Sequence, residues 1–393
     1  MGERAAYLSA LWCKRFRSRR KLAAHQSRLW RQLRSSFADY PALQDFQQAA
    51  FEDLPVMDVA TFRACFQAYN RYGLPTEKVA EAAQASEEGT IAHLPHHLRA
   101  GFSTGTSGAQ RGLFVTSAQE RATYTGQIMA KLLSPLQLLS VRRVAVCLRA
   151  PNALYKAGRI DLRFFPLGAD SAEQIAAFSP DLVIAPPQVL LSLAKAGRVP
   201  SLKHVFYGAE TLNRVERAFI TERLGIRPDP IYQATEGFLG APCRLGTLHL
   251  NEDSLIVEPE TLAGDRFRPI VTDLVRRTQA VVRLRLDDIL QKTHCPCGSP
   301  LTAVLPVEGR VQDIWWWERP IFPREVEDLL APLIPAQHPW IAEASPKEIR
   351  LACLDEDANV LCDALKALGR PVLRRSYFAE NDYPKRRHVR WQP

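Results

Sequence analysis

Between residues 141 and 224 short apolar runs alternate with stretches of helical length, and few folds accept that alternation. Val141–Leu148 (VRRVAVCL), Leu162–Phe165, Leu182–Ala185 and His204–Tyr207 read as strands. Asp170–Phe178, Gln188–Ala196, entered through Pro186-Pro187, and Asn213–Leu224 read as helices. Strands separated by helices at this pitch predict an α/β domain with largely parallel pairing. Such sheets bind ligands at the carboxyl ends of their strands. His204–Tyr207 runs there into Gly208-Ala209-Glu210, a candidate wall of a site. An ordinary strand–helix turn is the competing reading.

The flanks carry other patterns. Residues 7–36 predict a helical lead-in, with Trp12 and Phe16, then Leu29 and Leu33, four apart and Arg/Lys on the other face. Leu54–Asp58 breaks it, Val59–Tyr69 resumes a helical pattern, and residues 84–90 form a polar linker. Ser117–Leu139 reads as one long helix, and residues 270–288 as two half-exposed antiparallel strands. With 393 residues, 46% of them hydrophobic, the chain can bury a large core spread over two or three domains.

Charge is uneven. The net charge is +9, and residues 1–36 hold ten Lys/Arg against the single acid Glu3. The tail adds Arg374, Arg375, Lys385, Arg386, Arg387 and Arg390. No nucleic-acid motif accompanies this charge, so a solvated helix face and attraction for a polyanion such as ATP are expected rather than nucleic acid. No apolar run reaches the roughly 18 residues of a membrane span. The charged start lacks a signal peptide's apolar stretch, which predicts a cytoplasmic protein. Its eight cysteines are then thiols or metal ligands rather than disulfides. Cys243, His249, Cys295 and Cys297 make a Cys3His set for structural zinc if their two segments meet, with His294 a competing ligand and buried free thiols the alternative.

Gly101–Gly112 (GFSTGTSGAQRG) is the strongest ligand-binding signal. Ser103, Thr104, Gly105, Thr106, Ser107 and Gly108 leave backbone N–H groups and hydroxyls free to converge on an anion, and Arg111 adds a fixed charge. No Gly-Lys-Ser/Thr closes it as in a Walker loop, and its glycines do not follow G-x-G-x-x-G. The competing reading is a plain Gly/Ser/Thr surface loop.

S-T-G-T-S-G-A-Q-R-G resembles the phosphate loop of adenylate-forming enzymes, T-S-G-T-T-G-x-P-K-G, with Arg111 for Lys and Gln110 for Pro. Ile231–Gly237 (IYQATEG) resembles that family's Y-G-x-T-E. The resemblance implies Tyr232 against adenine, Thr235 at the α-phosphate and Glu236 on Mg2+. Asp288, in RLRLDDI, matches the Asp that chelates the ribose hydroxyls, and Gly208, Ala209, Glu210 and Arg310 join the ATP set. Gly309–Asp313 (GRVQD) is similar to the hinge G-R-x-D-D, and Phe322–Glu327 (FPREVE) to F-P-S-Q-I-E. Lys385, the lysine of the tail, is the candidate adenylation lysine. GTLHLNEDSLIVEPE and C-P-C-G look most like the phenylacetate–CoA ligase branch. LRAPNALYKAGRIDLRFFPL looks like the synthetase that adenylylates a deazaflavin coenzyme, and the short chain also resembles indoleacetate–lysine ligase.

The resemblance implies the adenylate-forming α/β fold: a basic helical lead-in (1–50), a large ATP- and substrate-binding domain (51–311) and a small α+β lid (312–393). It implies ATP and Mg2+ as cofactors and activation of a carboxylic acid, aromatic as in the branches named above, as acyl-AMP. The acceptor stays open among CoA, a carrier-protein thiol and an amine. Glu318-Arg319-Pro320 stands where related CoA ligases place a glycine that lines the thiol channel. Trp315-Trp316-Trp317 is either a substrate-facing wall or a strand with two rings in a core. Transfer of AMP to a hydroxyl and a non-catalytic nucleotide-binding role also remain open, as does a homodimer.

Overall fold

The structure is a computed structural model that describes residues 2–14, 16–88, 90, 94–102, 112–147, 160–375 and 387–393. Ser103, Thr104, Gly105, Thr106, Ser107, Gly108, Arg111 and Lys385 lie outside the described residues, as does the RAPNAL segment, residues 149–154.

The predicted alternation folds into a five-stranded, all-parallel sheet. Its order is Asp161–Phe165, Arg143–Cys147, Leu182–Ala185, His204–Tyr207, Asp229–Pro230. Alternate side chains leave opposite faces of each strand. Ala145, Val183 and Val205 pack against helices Ser171–Phe178, Pro187–Ala196 and Arg214–Leu224 through Ile175, Leu190 and Ile220. Val144, Val146, Leu182 and Phe206 pack with Leu133, Val141 and Phe238 on the other face. The inner strands, Leu182–Ala185 and His204–Tyr207, are covered on both faces and read as near-continuous apolar runs, whereas the edge strand Asp161–Phe165 exposes Asp161 and Arg163. Each fully buried aliphatic side chain contributes about 1.5–3 kcal/mol.

A second core lies under the antiparallel strands that follow. Arg266–Asp273 pairs with Leu255–Ala263, Leu284–Arg285 and Asp288–Gln291. The half-exposed reading of residues 270–288 is corrected here, because Pro269–Asp273 is buried throughout. The lead-in causes this: Leu33, Phe37, Tyr40 and Leu43 cover that face and share its core. The lead-in itself is two helices, Glu3–Cys13 and Arg19–Arg34, the second capped by the Ser18 hydroxyl, which accepts from the Lys21 N–H. The first lies across helix Ala118–Leu132, so close at Gly126 that a Cβ there would sit 2.6 Å from the Glu3 carbonyl oxygen. The predicted long helix 117–139 is likewise two. Helix Ala118–Leu132 ends at Leu133, and Ser134 with Pro135 starts Pro135–Ser140.

A third core belongs to residues 315–391. Strands Val372–Arg375, Ile349–Cys353, Trp340–Ala344 and Val389–Trp391 make its sheet, and helices Pro323–Leu330 and Ala358–Lys366 cover it. Trp315 is fully buried there, with its indole N–H donated to the Arg390 carbonyl at 2.9 Å. Trp317 packs against the same core and donates to the Ser345 carbonyl, whereas Trp316 is exposed. The tryptophan run therefore builds this core, and none of its rings lines the cavity described next.

Candidate active site

A cavity of about 560 Å³ opens at the carboxyl ends of the parallel strands, between that sheet, strand Tyr232–Ala234 and the Gly309–Asp313 segment. Cys147, Ala185 and Tyr207 end their strands in its wall. Burial pushes the Cys147 thiol up to about 12, so it stays a neutral wall residue. Gly208-Ala209-Glu210 forms the next part of the wall. Ala209 sits at φ +70°, a conformation that costs a non-glycine residue about 1 kcal/mol or more. Glu210 accepts from the Gln188 amide at 3.1 Å.

Tyr232 sits at the start of its strand with its ring in the core and its hydroxyl donated to Asp288 Oδ2 at 2.7 Å. Burial, then the Asp288 charge, holds the phenol well above its ordinary pKa, so it remains a donor. Asp288 is positioned from the other side by pairing of Asp288–Gln291 with Gly309–Arg310, which also brings Arg310 into the wall.

Thr235 and Glu236 occupy the turn between strands Tyr232–Ala234 and Gly237–Pro242. Gly237 makes the turn possible with φ +150°. Burial is the main force that raises the Glu236 carboxyl above its ordinary pKa, and Asp288 adds to it while Arg276 and Arg63 oppose it. Arg276 also donates to the Thr235 carbonyl at 3.0 Å, and Asp273 accepts from the Val275 and Arg276 N–H groups, which shapes the floor behind Glu236.

Both described ends of the Gly101–Gly112 stretch reach this place. Phe102 lines the cavity, and a Cβ on Gly112 would lie 2.6 Å from Thr235 Oγ1. The hairpin Arg99–Phe102 with Leu113–Thr116 holds the two ends in register. On the opposite side Arg387, two residues after Lys385, lines the cavity and pairs with Asp313.

Every described residue expected from the sequence for ATP lines this one cavity: Gly208, Ala209, Glu210, Tyr232, Thr235, Glu236, Asp288 and Arg310. Residues the sequence did not single out are Arg63, Tyr124, Phe238, Asp273 and Arg276. Arg63 sits in the last turn of the short helix capped by Asp58 and carries no pattern of its own. Tyr124 and Phe238 meet edge-on with ring centroids 6.1 Å apart and, with Ile184, make an apolar end of the cavity. Cys243, His249, Cys295 and Cys297 come together elsewhere, outside the cavity wall.

No protein-family model and no curated protein matches this sequence. Solved structures do. The chain superposes on 2-hydroxyisobutyryl-CoA ligase in the postadenylation state, in complex with 2-HIB-AMP, with a TM-score of 0.67 and 17% identity, covering 96% of this chain and 90% of that one. The same enzyme with 2-HIB-AMP and CoA in its thioesterification state gives 0.57, with 18% identity and 96% and 91% covered. The amide bond synthetase McbA from Marinactinospora thermotolerans gives 0.52 at 16% identity, over 75% of this chain and 68% of that one. This chain has the adenylate-forming enzyme fold. The match to the CoA ligase extends over nearly the whole chain, the core of residues 315–391 included. No helix among the described residues is long and apolar enough to cross a membrane.

Proposed function

We propose that this chain is an ATP-dependent ligase that converts a carboxylic acid to its acyl-adenylate, releases pyrophosphate, and passes the acyl group to a thiol or amine. The observation that carries this reading is the convergence of Tyr232, Thr235, Glu236, Asp288 and Arg310 on one cavity that also receives both ends of the Gly101–Gly112 stretch. These residues come from separate segments, and an adenylate-forming role asks for them in one place.

The chemistry is a charge problem. A carboxylate resists nucleophilic attack, so its oxygen must first displace pyrophosphate from the α-phosphorus of ATP. Two anions then have to approach each other. In this reading Asp288, braced by Tyr232, holds the ribose, and Thr235 donates to the α-phosphate. Backbone N–H groups and hydroxyls of Ser103–Gly108, with Arg111, receive the β- and γ-phosphates. Glu236 and the Thr235 hydroxyl are hard oxygen donors that fit Mg2+, which when bound neutralises triphosphate charge. Lys385, close in sequence to Arg387 in the cavity wall, supplies a cation to the transition state. One such contact is worth about 3 kcal/mol.

The apolar end formed by Tyr124, Phe238 and Ile184 suits an acid with an aromatic or branched apolar body. The similar structures include a CoA ligase holding CoA and an amide bond synthetase, which supports a thiol or an amine as acceptor. Arg319, in the segment expected at the thiol channel, is exposed and paired with Glu325.

Pyrophosphate–ATP exchange across a panel of aryl and short branched acids tests the reading. Exchange that depends on one class of acid is the expected result. Exchange without any acid would assign AMP transfer to another group, and ATP binding with no exchange under every acid would leave a nucleotide-binding protein.

A further inference from the structure

The cysteine–histidine set has no part in the cavity, yet its geometry is highly ordered. Cys243 follows strand Gly237–Pro242, His249 is the middle residue of Leu248–Leu250, and Cys295 and Cys297 precede strand Ala303–Val304. The four ligand atoms all lie within 4.8 Å of one another. Cys243 Sγ and Cys295 Sγ are 3.7 Å apart, and Cys297 Sγ lies 3.5 Å from His249 Nε2. A tetrahedron with Zn–S of about 2.3 Å and Zn–N of about 2.05 Å has S···S edges near 3.8 Å and S···N edges of about 3.6 Å. A disulfide would instead need sulfurs about 2.05 Å apart.

The surroundings prepare the ligands. His249 Nδ1 lies 2.9 Å from the Leu301 carbonyl oxygen, which can only accept, so the ring proton sits on Nδ1 and the Nε2 lone pair faces the cluster. The Leu245 N–H donates to Cys243 Sγ and the Ser299 N–H to Cys297 Sγ, each at 3.4 Å, which fixes the two sulfurs in place. Both cysteine turns close on a glycine with positive φ, Gly246 at +77° and Gly298 at +78°. Three thiolates and one imidazole fill four positions and leave none open, the arrangement of a structural rather than a catalytic metal.

We infer that Cys243, His249, Cys295 and Cys297 bind one zinc ion and that this ion clamps the sheet carrying Tyr232 and Thr235. The sheet order is Ala303–Val304, Leu248–Leu250, Gly237–Pro242, Tyr232–Ala234. Leu248 and Leu250 face the core beneath the cavity, while His249 between them faces the cluster. The metal therefore ties the 295–297 turn to the back of the sheet whose last strand leads into Thr235 and Glu236. Cys243 and Cys295 are 52 residues apart, so the tie closes a long loop and removes much freedom from the unfolded chain.

The test uses the full chain purified from zinc-supplemented medium without chelator and read by elemental analysis, so its outcome is independent of any enzymatic assay. About one zinc per chain is expected, released by a mercurial thiol reagent and replaceable by cobalt with the intense thiolate-to-metal bands of a tetrahedral sulfur-rich site. Cys297→Ser and His249→Ala should lose the metal, and Cys65→Ser, at an exposed cysteine outside the set, should keep it. A strong chelator should lower the melting temperature of the wild-type chain, and added zinc should restore it. A folded wild-type chain with less than about a tenth of an equivalent of zinc and no cobalt bands would overturn the site, and iron in its place would overturn the choice of metal. A metal-loaded chain whose melting temperature ignores the chelator's removal of zinc would overturn the clamp. Should the two variants fail to fold, wild-type stoichiometry and the cobalt spectrum still decide.

Discussion

Replacing Tyr232 by Phe isolates the role assigned to Asp288. The Tyr232 ring is 4% exposed and packed in the core, so Phe keeps its volume and leaves no cavity. What disappears is one O–H donor, 2.7 Å from Asp288 Oδ2. A hydrogen bond to a charged acceptor contributes about 1.5–3 kcal/mol, which at about 1.4 kcal/mol per decade is a factor of about 10 to 150. Asp288 is only half-buried and faces the cavity, so water takes over part of the lost contact and the lower end applies. The expected result is about tenfold weaker Mg-ATP binding by calorimetric titration, with a melting temperature close to wild type. Because burial keeps the phenol protonated well past its ordinary pKa, the ratio should hold constant from neutral to mildly alkaline pH. Affinity within twofold of wild type, with the fold intact, would show that Tyr232 does not brace a ribose-binding carboxylate.

Glu236→Gln should abolish Mg2+-dependent exchange yet leave the ligand-free chain as stable as wild type or more so near neutral pH. The native carboxyl has a raised pKa, so the folded state binds its proton more tightly, and wild-type stability falls as pH rises through the window above the unfolded value. A melting temperature below wild type at neutral pH would refute this. Glu120 has the opposite sign: burial resists its ionisation, but hydrogen bonds from Ser117, Thr278 and Arg277 outweigh it and lower its pKa. Its stabilisation is present above the ordinary carboxylate range and lost as pH falls through the folded value, and Glu120→Gln should cost about 2 kcal/mol in urea denaturation at neutral pH. Lys131→Met strands the buried Asp253 carboxylate, which Lys131 contacts at 2.6 and 2.8 Å, and should cost about 3–5 kcal/mol, most of it recovered by adding Asp253→Leu. Lys385→Ala should stop adenylate formation but spare transfer from a chemically prepared adenylate, and adenylation that survives the change would remove Lys385 from the mechanism.

The middle of the parallel sheet was legible because its inner strands are buried on both faces. Leu182–Ala185 and His204–Tyr207 run where the apolar pattern places them, since a strand between two helical layers has no polar side to blur the signal. The lead-in and the 117–139 helix were less legible. Their 3.6-residue period continues across breaks made by local chemistry, the Ser18 cap in one and Ser134-Pro135 in the other. The Arg266–Asp273 strand alternates like a half-exposed one, yet it is covered by a helix that lies more than 200 residues earlier. No local pattern records that contact.

By itself the sequence determined which chemical groups the chain can bring to a site. They are the hydroxyl-and-glycine run, the Thr235–Glu236 pair, Asp288, and three cysteines with a histidine. Residue chemistry is local, so it survives in a linear text. Only tertiary structure decided that Tyr232 reaches Asp288, that Arg63 and Arg276 face Glu236, and that Cys243 meets Cys295. Those encounters depend on how sheets and helices stack, and stacking is a property of distant surfaces excluding water together rather than of any one segment.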